Sequence, residues 1–466
     1  MIDGERPNRA RRATPAFRAA ALGIAALIAI ETPVHAQRGG LPLIRDAEIE
    51  QVLREYSQPI LRAAGLAKQN IRVVIINDRA FNAFVADGRR IFVNAGALMD
   101  AQTPNQVIGV LAHETGHISG GHLARMRQEI SSASTIAILA MLLGAGAMIA
   151  GAGSAGSAGS QIGAAAIQAP QSVIQRSLLA YQRAHEDQAD RAGVTFLNAT
   201  GQSARGMSET FKRLGDQVLY TARSADPYLQ SHPMPSDRVA ALQELAKSSP
   251  YWDKKDAPEL QARHDLMRAK LHGFIERPDT VLRRYPMSDT SLPARYARAI
   301  TAYRYGDPRS ALAQVDSLIQ SQPGNPYFHE LKGQALLEAG HPADAVGPLR
   351  RAVQLAPNPA LIRVMLGQAL IATNSPANAE EAVGILKSAM AQESETPELY
   401  AQLALAYGKK GNLAEADLAS AQAASMRGDI GTARTIAARA KGRFPVGSPG
   451  WVKADDITSL KPLGRN

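Results

Sequence analysis

Two histidines four residues apart, with a glutamate beside the first, can grip a metal ion and move a proton. His113-Glu114-Thr115-Gly116-His117 is such a set. Residues four apart share a helix face, so both imidazoles reach one cation. Zinc takes neutral imidazole nitrogen at about 2.0–2.1 Å, and a catalytic site leaves one position for water. Glu114 is rotated off that face yet close enough to accept a proton from the water, the place of a general base in peptide hydrolysis. Two imidazoles do not complete a zinc site. His122 is the nearest further histidine, but it arrives five residues after His117, where a known third-ligand spacing wants six and finds Leu123. It is expected at the surface or behind the ligands. Glu186 and Asp190, four apart in Ala184-His185-Glu186-Asp187-Gln188-Ala189-Asp190, supply a better partner. One carboxylate can bind the metal while the other accepts a hydrogen bond from a ligand imidazole and fixes its tautomer. His185 and Asp187 are expected to point elsewhere on that helix.

The elements that must position these groups are written in the periodicities. Ile49, Val52, Leu53, Tyr56 and Ile60 recur at helical spacing between Asp46 and Gly65. The β-branched run Ile71 to Ile76 reads as a buried strand. Asn82 to Val85 and Arg90 to Val93 read as a strand pair joined through Asp87-Gly88, a favourable hairpin turn. The stretch Arg90 to Asn94 is expected to offer an edge to an extended polypeptide. Thr103 is expected to cap the metal-binding helix, with Pro104 at its first position. Residues 130–169 are apolar and rich in Gly, Ala and Ser without any charge. Their glycines dilute the hydrophobicity, so they are expected as a membrane-facing or lid segment rather than a spanning helix.

Beyond residue 295 the chain repeats. Gly306, Ala311 and Pro323 recur 34 residues on as Gly340, Ala345 and Pro357; Gly333, Ala335 and Leu336 recur as Gly367, Ala369 and Leu370. This period, with small residues at helix contacts and proline after the second helix, marks tetratricopeptide units, with a three-residue offset around Asn374 to Asn378. Such units stack and leave a concave groove for protein contacts.

The chain has 466 residues, enough for several domains, and 45% hydrophobic with 20% charged residues, a globular balance. Its net charge of +10 is scattered, with no aromatic-basic surface motif, which argues against nucleic-acid binding. With no cysteine, disulfides, thiolate ligands and a cysteine nucleophile are excluded. Arg6, Arg9, Arg11, Arg12 and Arg18, the apolar stretch Ala19 to Ile30 and the small residues at Val34-His35-Ala36 read as an export signal cleaved after residue 36. The expected domains are therefore a signal peptide over 1–36, a metallopeptidase domain over 37–265, repeats over 266–445 and a tail over 446–466. The fold class expected is an α+β zincin-type domain, mostly helical with a small sheet, followed by an all-α solenoid.

Strand, Asn-Ala-Phe hairpin, the His-Glu-x-x-His helix and then the Glu-x-x-x-Asp helix resemble metallopeptidase family 48, the gluzincins that include HtpX and the CAAX prenyl proteases. The resemblance runs over roughly residues 45 to 430. It implies zinc, one per chain, held by His113, His117 and Glu186, with Asp190 behind the ligands. Gln188 departs from the family, which often has Glu there. The family's His-Pro motif followed by Arg corresponds to His232-Pro233 and Arg238. These two are expected to assist catalysis by stabilising the oxyanion, or His232 is a fourth metal ligand in a latent enzyme. A loop histidine before a helix capped by Ser236 is the plain alternative. Signal sequence and repeats together resemble family members that act in the periplasm as proteases and chaperones of outer-membrane assembly. That likeness implies unfolded or misassembled envelope proteins as substrates and contact with the assembly machinery through the repeat groove. Peripheral membrane contact would come through 130–169. A chaperone or scaffold with a latent protease site remains the competing reading.

Overall fold

The computed structural model describes residues 42–461 apart from 87, 126–127, 129–182, 219–227 and 229–231. The export signal and the apolar segment 130–169 thus lie outside the described residues. Among the described residues no helix is long and apolar enough to cross a membrane.

The N-terminal half is built on helix α1 (Ala47–Ala63), a small sheet and helix α3 (Pro104–Ser119). Asp46 caps α1 by accepting from the Ile49 amide at 2.9 Å. The apolar face read from the sequence, Ile49, Val52, Leu53, Tyr56 and Ile60, is buried in one core with Ile75, Ile91, Val93, Val107, Ile108 and Leu111. The sheet order is β1-β2-β4-β3, with β1 Leu43–Ile44, β2 Arg72–Ile76, β3 Ala83–Val85 and β4 Arg90–Asn94. β2 and β4 are parallel, in register Arg72 to Arg90, and β3 returns antiparallel on the far side of β4. The expected hairpin forms, and Gly88 in its turn has φ of 74°. The expected role of Arg90–Asn94 as an edge is corrected: β4 is paired on both sides, and the outer position belongs to β3. A hairpin rule fixes which strands are neighbours but not which of them a third strand covers. After β4 the short helix α2 (Ala95–Asp100) leads into α3.

The capping role expected of Thr103 is also corrected, since its side chain makes no cap hydrogen bond. The start of α3 is instead pinned by distant groups. Asp256 accepts from the Asn105 amide at 2.9 Å, and the Asn105 side chain donates to the Ser203 carbonyl and accepts from the Gly206 amide, each at 2.7 Å. Among the described residues, this half also includes α4 over residues 183–199, α5 (Arg205–Val218) and α6 (Ser236–Lys247).

Helix α7 (Pro258–Ile275) runs through residue 265 and serves two cores. Met267 and Leu271 join the N-terminal core, while Leu266 and Ala269 join a second core with Tyr296, Ile300, Val315 and Phe328. Then come α8 (Pro278–Arg284) and the helical pairs α9 (Leu292–Tyr305) with α10 (Pro308–Ser321), α11 (Pro326–Glu338) with α12 (Pro342–Leu355), α13 (Ala360–Ala372) with α14 (Pro376–Glu393), and α15 (Pro397–Lys409) with α16 (Leu413–Met426). Within the pairs the repeated glycines let helices close up: a Cβ on Gly333 would sit 2.4 Å from Leu349, and one on Gly367 2.7 Å from Leu386. Helix α17 (Ile430–Lys441) is followed by α18 (Pro449–Thr458), which lies in the stretch expected as a tail and shares a core with α16 and α17 through Ala454 and Ile457.

The repeats are fastened to the N-terminal half by buried charge. Lys270 Nζ lies 2.7 Å from Asp46, 3.3 Å from Glu48 and 3.8 Å from Glu330. Tyr296 donates to Glu48 at 2.8 Å, and Arg45 pairs with Glu393 at 2.7 Å.

Candidate metal centre

Helix α3 presents His113 and Glu114, both without solvent exposure, and His117 one turn on. Its motif carries the glycine that lets α4 approach: a Cβ on Gly116 would lie 2.7 Å from the Ala189 carbonyl oxygen. From the other side, Gly193 of α4 comes within 3.2 Å of the His113 backbone nitrogen, measured from where its Cβ would be. Side chains on two helices so close need little reach to meet. Glu186 and Asp190, one turn apart on α4, are both buried against α3.

Donor atoms of His113, His117, Glu186 and His232 all lie within 4.8 Å of one another. His113 Nε2 and His117 Nε2 are 3.1 Å apart, and each is 3.5 Å from a Glu186 oxygen. Tetrahedral coordination at zinc–nitrogen and zinc–oxygen lengths puts ligand atoms about 3.3 Å from each other. The two imidazole nitrogens stand near the length of one edge of such a tetrahedron with the Glu186 carboxylate beside them, Oε2 towards His113 and Oε1 towards His117, and the donor set fits a divalent cation.

The groups around them are ordered by charge. Asp190 Oδ1 lies 2.9 Å from His113 Nδ1. Arg238, near the start of α6, is committed elsewhere than to the open side of the cluster. It donates to Asp190 through Nε and Nη2 at 2.7 and 2.9 Å and to the Pro233 carbonyl through Nη1 at 2.8 Å, and Nη1 also forms an ion pair with Glu186 Oε2 at 2.9 Å. Burial works to raise Glu186, yet His232, His113 and Arg238 hold it down to about 2. Asp190 is likewise lowered against its burial by His113 and Arg238. Burial would lower His113, but Asp190 and Glu186 push it up to about 9, whereas burial and His113 hold His117 well below its ordinary value. Glu114 differs from the other two carboxylates. Burial pushes it up to about 8, and neither of its oxygens accepts a hydrogen bond from the described residues. A carboxylate so placed is primed to take a proton.

His232 faces Glu114, Nε2 to Oε1, at 3.6 Å, and its ring centroid is 5.3 Å from those of both His113 and His117. Burial lowers it to about 4, which keeps a nitrogen lone pair available at neutral pH. Tyr228, four residues earlier in the sequence, stacks on it at 4.5 Å with 18° between planes.

Every site residue singled out in the sequence is thus brought to one place. Three neighbours were missed or set aside: Tyr228, His185 and Gln188. His185, expected to point away, is buried and stacks on His122 at 4.3 Å with 8° between planes. His122 is itself buried, with Nδ1 at 3.0 Å from His117 Nδ1 and Nε2 at 3.2 Å from Gln188 Oε1. The signal was in the sequence: Gly120-Gly121 before His122 is a turn able to send the chain back over its own helix.

The family comparison decides the class. Residues 44–246 match the model of peptidase family M48, and 296–360 and 331–384 match tetratricopeptide repeats. The chain carries an M48 peptidase domain. Its M48 domain and repeats together resemble the beta-barrel assembly-enhancing protease of Escherichia coli K12, at 23% identity over 310 residues, 64% of this chain and 60% of that one. A Vibrio cholerae protein of the same description is 26% identical over 300 residues, 62% of this chain and 59% of its own. The match therefore spans about three fifths of the length of these relatives. Among solved structures, the crystal structure of MamA aligns with 34% of this chain and 89% of its own at 21% identity, with a TM-score of 0.28.

Proposed function

We propose that the chain is a zinc-dependent endopeptidase of the cell envelope, with one zinc held by His113, His117 and Glu186. The observation that carries this reading is the convergence of His113 and His117 Nε2, 3.1 Å apart, on the Glu186 carboxylate at 3.5 Å from Oε2 and Oε1, beside a buried Glu114 whose oxygens accept no hydrogen bond among the described residues. Zinc in that position supplies Lewis acidity to a peptide carbonyl and a water molecule. Glu114 accepts the proton of the attacking water and returns it to the leaving amine. Asp190 orients His113 by accepting from Nδ1. Arg238 holds Asp190 and Glu186 in place and offsets their charge. Strand β3, outermost on that side of the sheet among the described residues, offers an edge to an extended substrate, which gives binding with little sequence preference.

The repeats and the likeness to beta-barrel assembly-enhancing proteases support a role in quality control of outer-membrane protein assembly. Unfolded or stalled envelope proteins are then the substrates, and the repeat groove meets the assembly machinery. Export by the N-terminal signal places the mature chain in the periplasm. One observation favours a second state of the same enzyme: His232 stands within the donor cluster, so it can serve as fourth ligand and keep the protease latent while the repeats act as a chaperone.

Glu114→Gln tests the reading. It should retain zinc and lose casein cleavage by at least 100-fold, the lower range for removing a general base. Undiminished cleavage would refute the assignment.

A further inference from the structure

The two imidazoles proposed as ligands are backed differently. His113 has a carboxylate behind it, Asp190, whereas His117 has a neutral imidazole, His122, and behind that a neutral amide, Gln188. We propose that His122 and Gln188 form a hydrogen-bonded relay that fixes the tautomer of His117 and aims its Nε2 at the metal. This rests on the metal-site reading above.

The donor logic runs in one direction. Gln188 Oε1 can only accept, so His122 Nε2, 3.2 Å away, carries the ring proton. His122 Nδ1 is then an acceptor, and the donor facing it at 3.0 Å must be His117 Nδ1–H. A neutral His117 with its proton on Nδ1 has its lone pair on Nε2, the atom beside His113 Nε2 and Glu186. With the Gln188 amide turned so that Oε1 faces the ring, each link has one assignment, and the last one is the tautomer a metal requires.

The local backbone is shaped to deliver this ring. Gly121 has φ of +63°, and its amide bonds to the Ile118 carbonyl at 3.0 Å, so the chain reverses just after α3. The His122 ring then lies over Gly120, where a Cβ would meet its Nε2 at 2.3 Å. His185 closes the opposite face by parallel stacking. His122 is therefore held in position by Gly120 on one side and an aromatic plane on the other. It is a positioning residue rather than a ligand, because the nitrogen nearer the site is spent on His117.

Zinc affinity of the full chain, measured by competition with a chromophoric chelator, tests the relay. His122→Phe keeps the ring against His185 and removes both nitrogens, and Gln188→Leu removes the terminal acceptor. Each should bind zinc about 10–100-fold more weakly, the range seen when such backing partners are lost. Gln188→Glu puts a carboxylate at the end of the relay and should bind zinc more tightly than wild type. Cobalt-loaded His122→Phe should also show an altered visible d–d spectrum, which a packing defect away from the ligands would leave alone. Wild-type affinity in folded His122→Phe and Gln188→Leu would overturn the relay. Should His122→Phe fail to fold, Gln188→Leu and Gln188→Glu decide: opposite shifts support the relay, and equal or like shifts overturn it. Failure of the wild type to bind zinc would overturn the underlying metal site as well, so the two failures are distinct.

Discussion

At the scale of single residues the site is a problem of charge placement. Glu186 and Asp190 are kept ionised in a buried place because Arg238 and His113 sit against them, while burial pushes Glu114 up to about 8 despite the more distant pull of His113 and Arg238. Three carboxylates within one cluster are thus divided into two lowered and one raised by their surroundings alone. His232 is the residue whose role most changes the enzyme's behaviour. As a fourth ligand it excludes water from the cation; as a donor to the reacting carbonyl it speeds the chemistry. Its 3.6 Å approach to Glu114 and its place within the donor cluster favour the first role. His232→Ala is therefore expected to cleave casein several-fold faster than wild type, read as initial rates at saturating zinc. A loss of rate would assign it to catalysis instead.

At the scale of elements, legibility follows sequence distance. The His113–His117 and Glu186–Asp190 pairs were plain because spacing of four on a helix is a local rule. The strands and the hairpin at Gly88 were legible for the same reason. The position of β4 in the sheet was not, because β2 reaches it only after β3 has been passed over. The stack of His122 on His185 and the commitment of Arg238 to two carboxylates depend on how α3, α4 and α6 meet, which no local periodicity encodes. Gly116 shows how that meeting is arranged. Alanine there would gain up to about 1 kcal/mol of helix propensity. It would also drive a methyl to 2.7 Å from the Ala189 backbone, and overpacking of this kind costs about 1–3 kcal/mol. The atom it meets is backbone and cannot swing aside, so the penalty wins. Gly116→Ala should lower the unfolding midpoint and weaken zinc binding together, as measured by thermal melts and metal titration. Unchanged values in both would show that α4 is not held by this contact.

At the scale of the whole molecule, the peptidase half and the repeats are one compact unit from Leu43 onward. Helix α7 belongs to both cores, which explains why a boundary placed at 265 from composition falls inside a helix: its apolar residues face two ways. The junction around Lys270 adds electrostatics. One ammonium serves Asp46, Glu48 and Glu330, and burial pushes Glu330 up to about 8 despite Lys270. A carboxyl whose pKa is raised on folding binds its proton more tightly in the native state. Its contribution is full below the unfolded value of about 4.3 and is lost as pH rises towards about 8. Glu330→Gln has no proton to lose. The variant should thus gain stability relative to wild type as pH goes from 5 to 9, measured as the difference in unfolding midpoints with Glu48 present in both. A difference that stays flat, or falls, over that range would contradict the assignment.

The proposed centre is one cation held between α3 and α4. Anomalous diffraction from crystals of the zinc-loaded protein, collected on either side of the zinc absorption edge, tests this most directly. A single peak about 2.0–2.2 Å from His113 Nε2, His117 Nε2 and a Glu186 oxygen is the predicted result. No peak there, in crystals of folded protein grown with zinc, would contradict it.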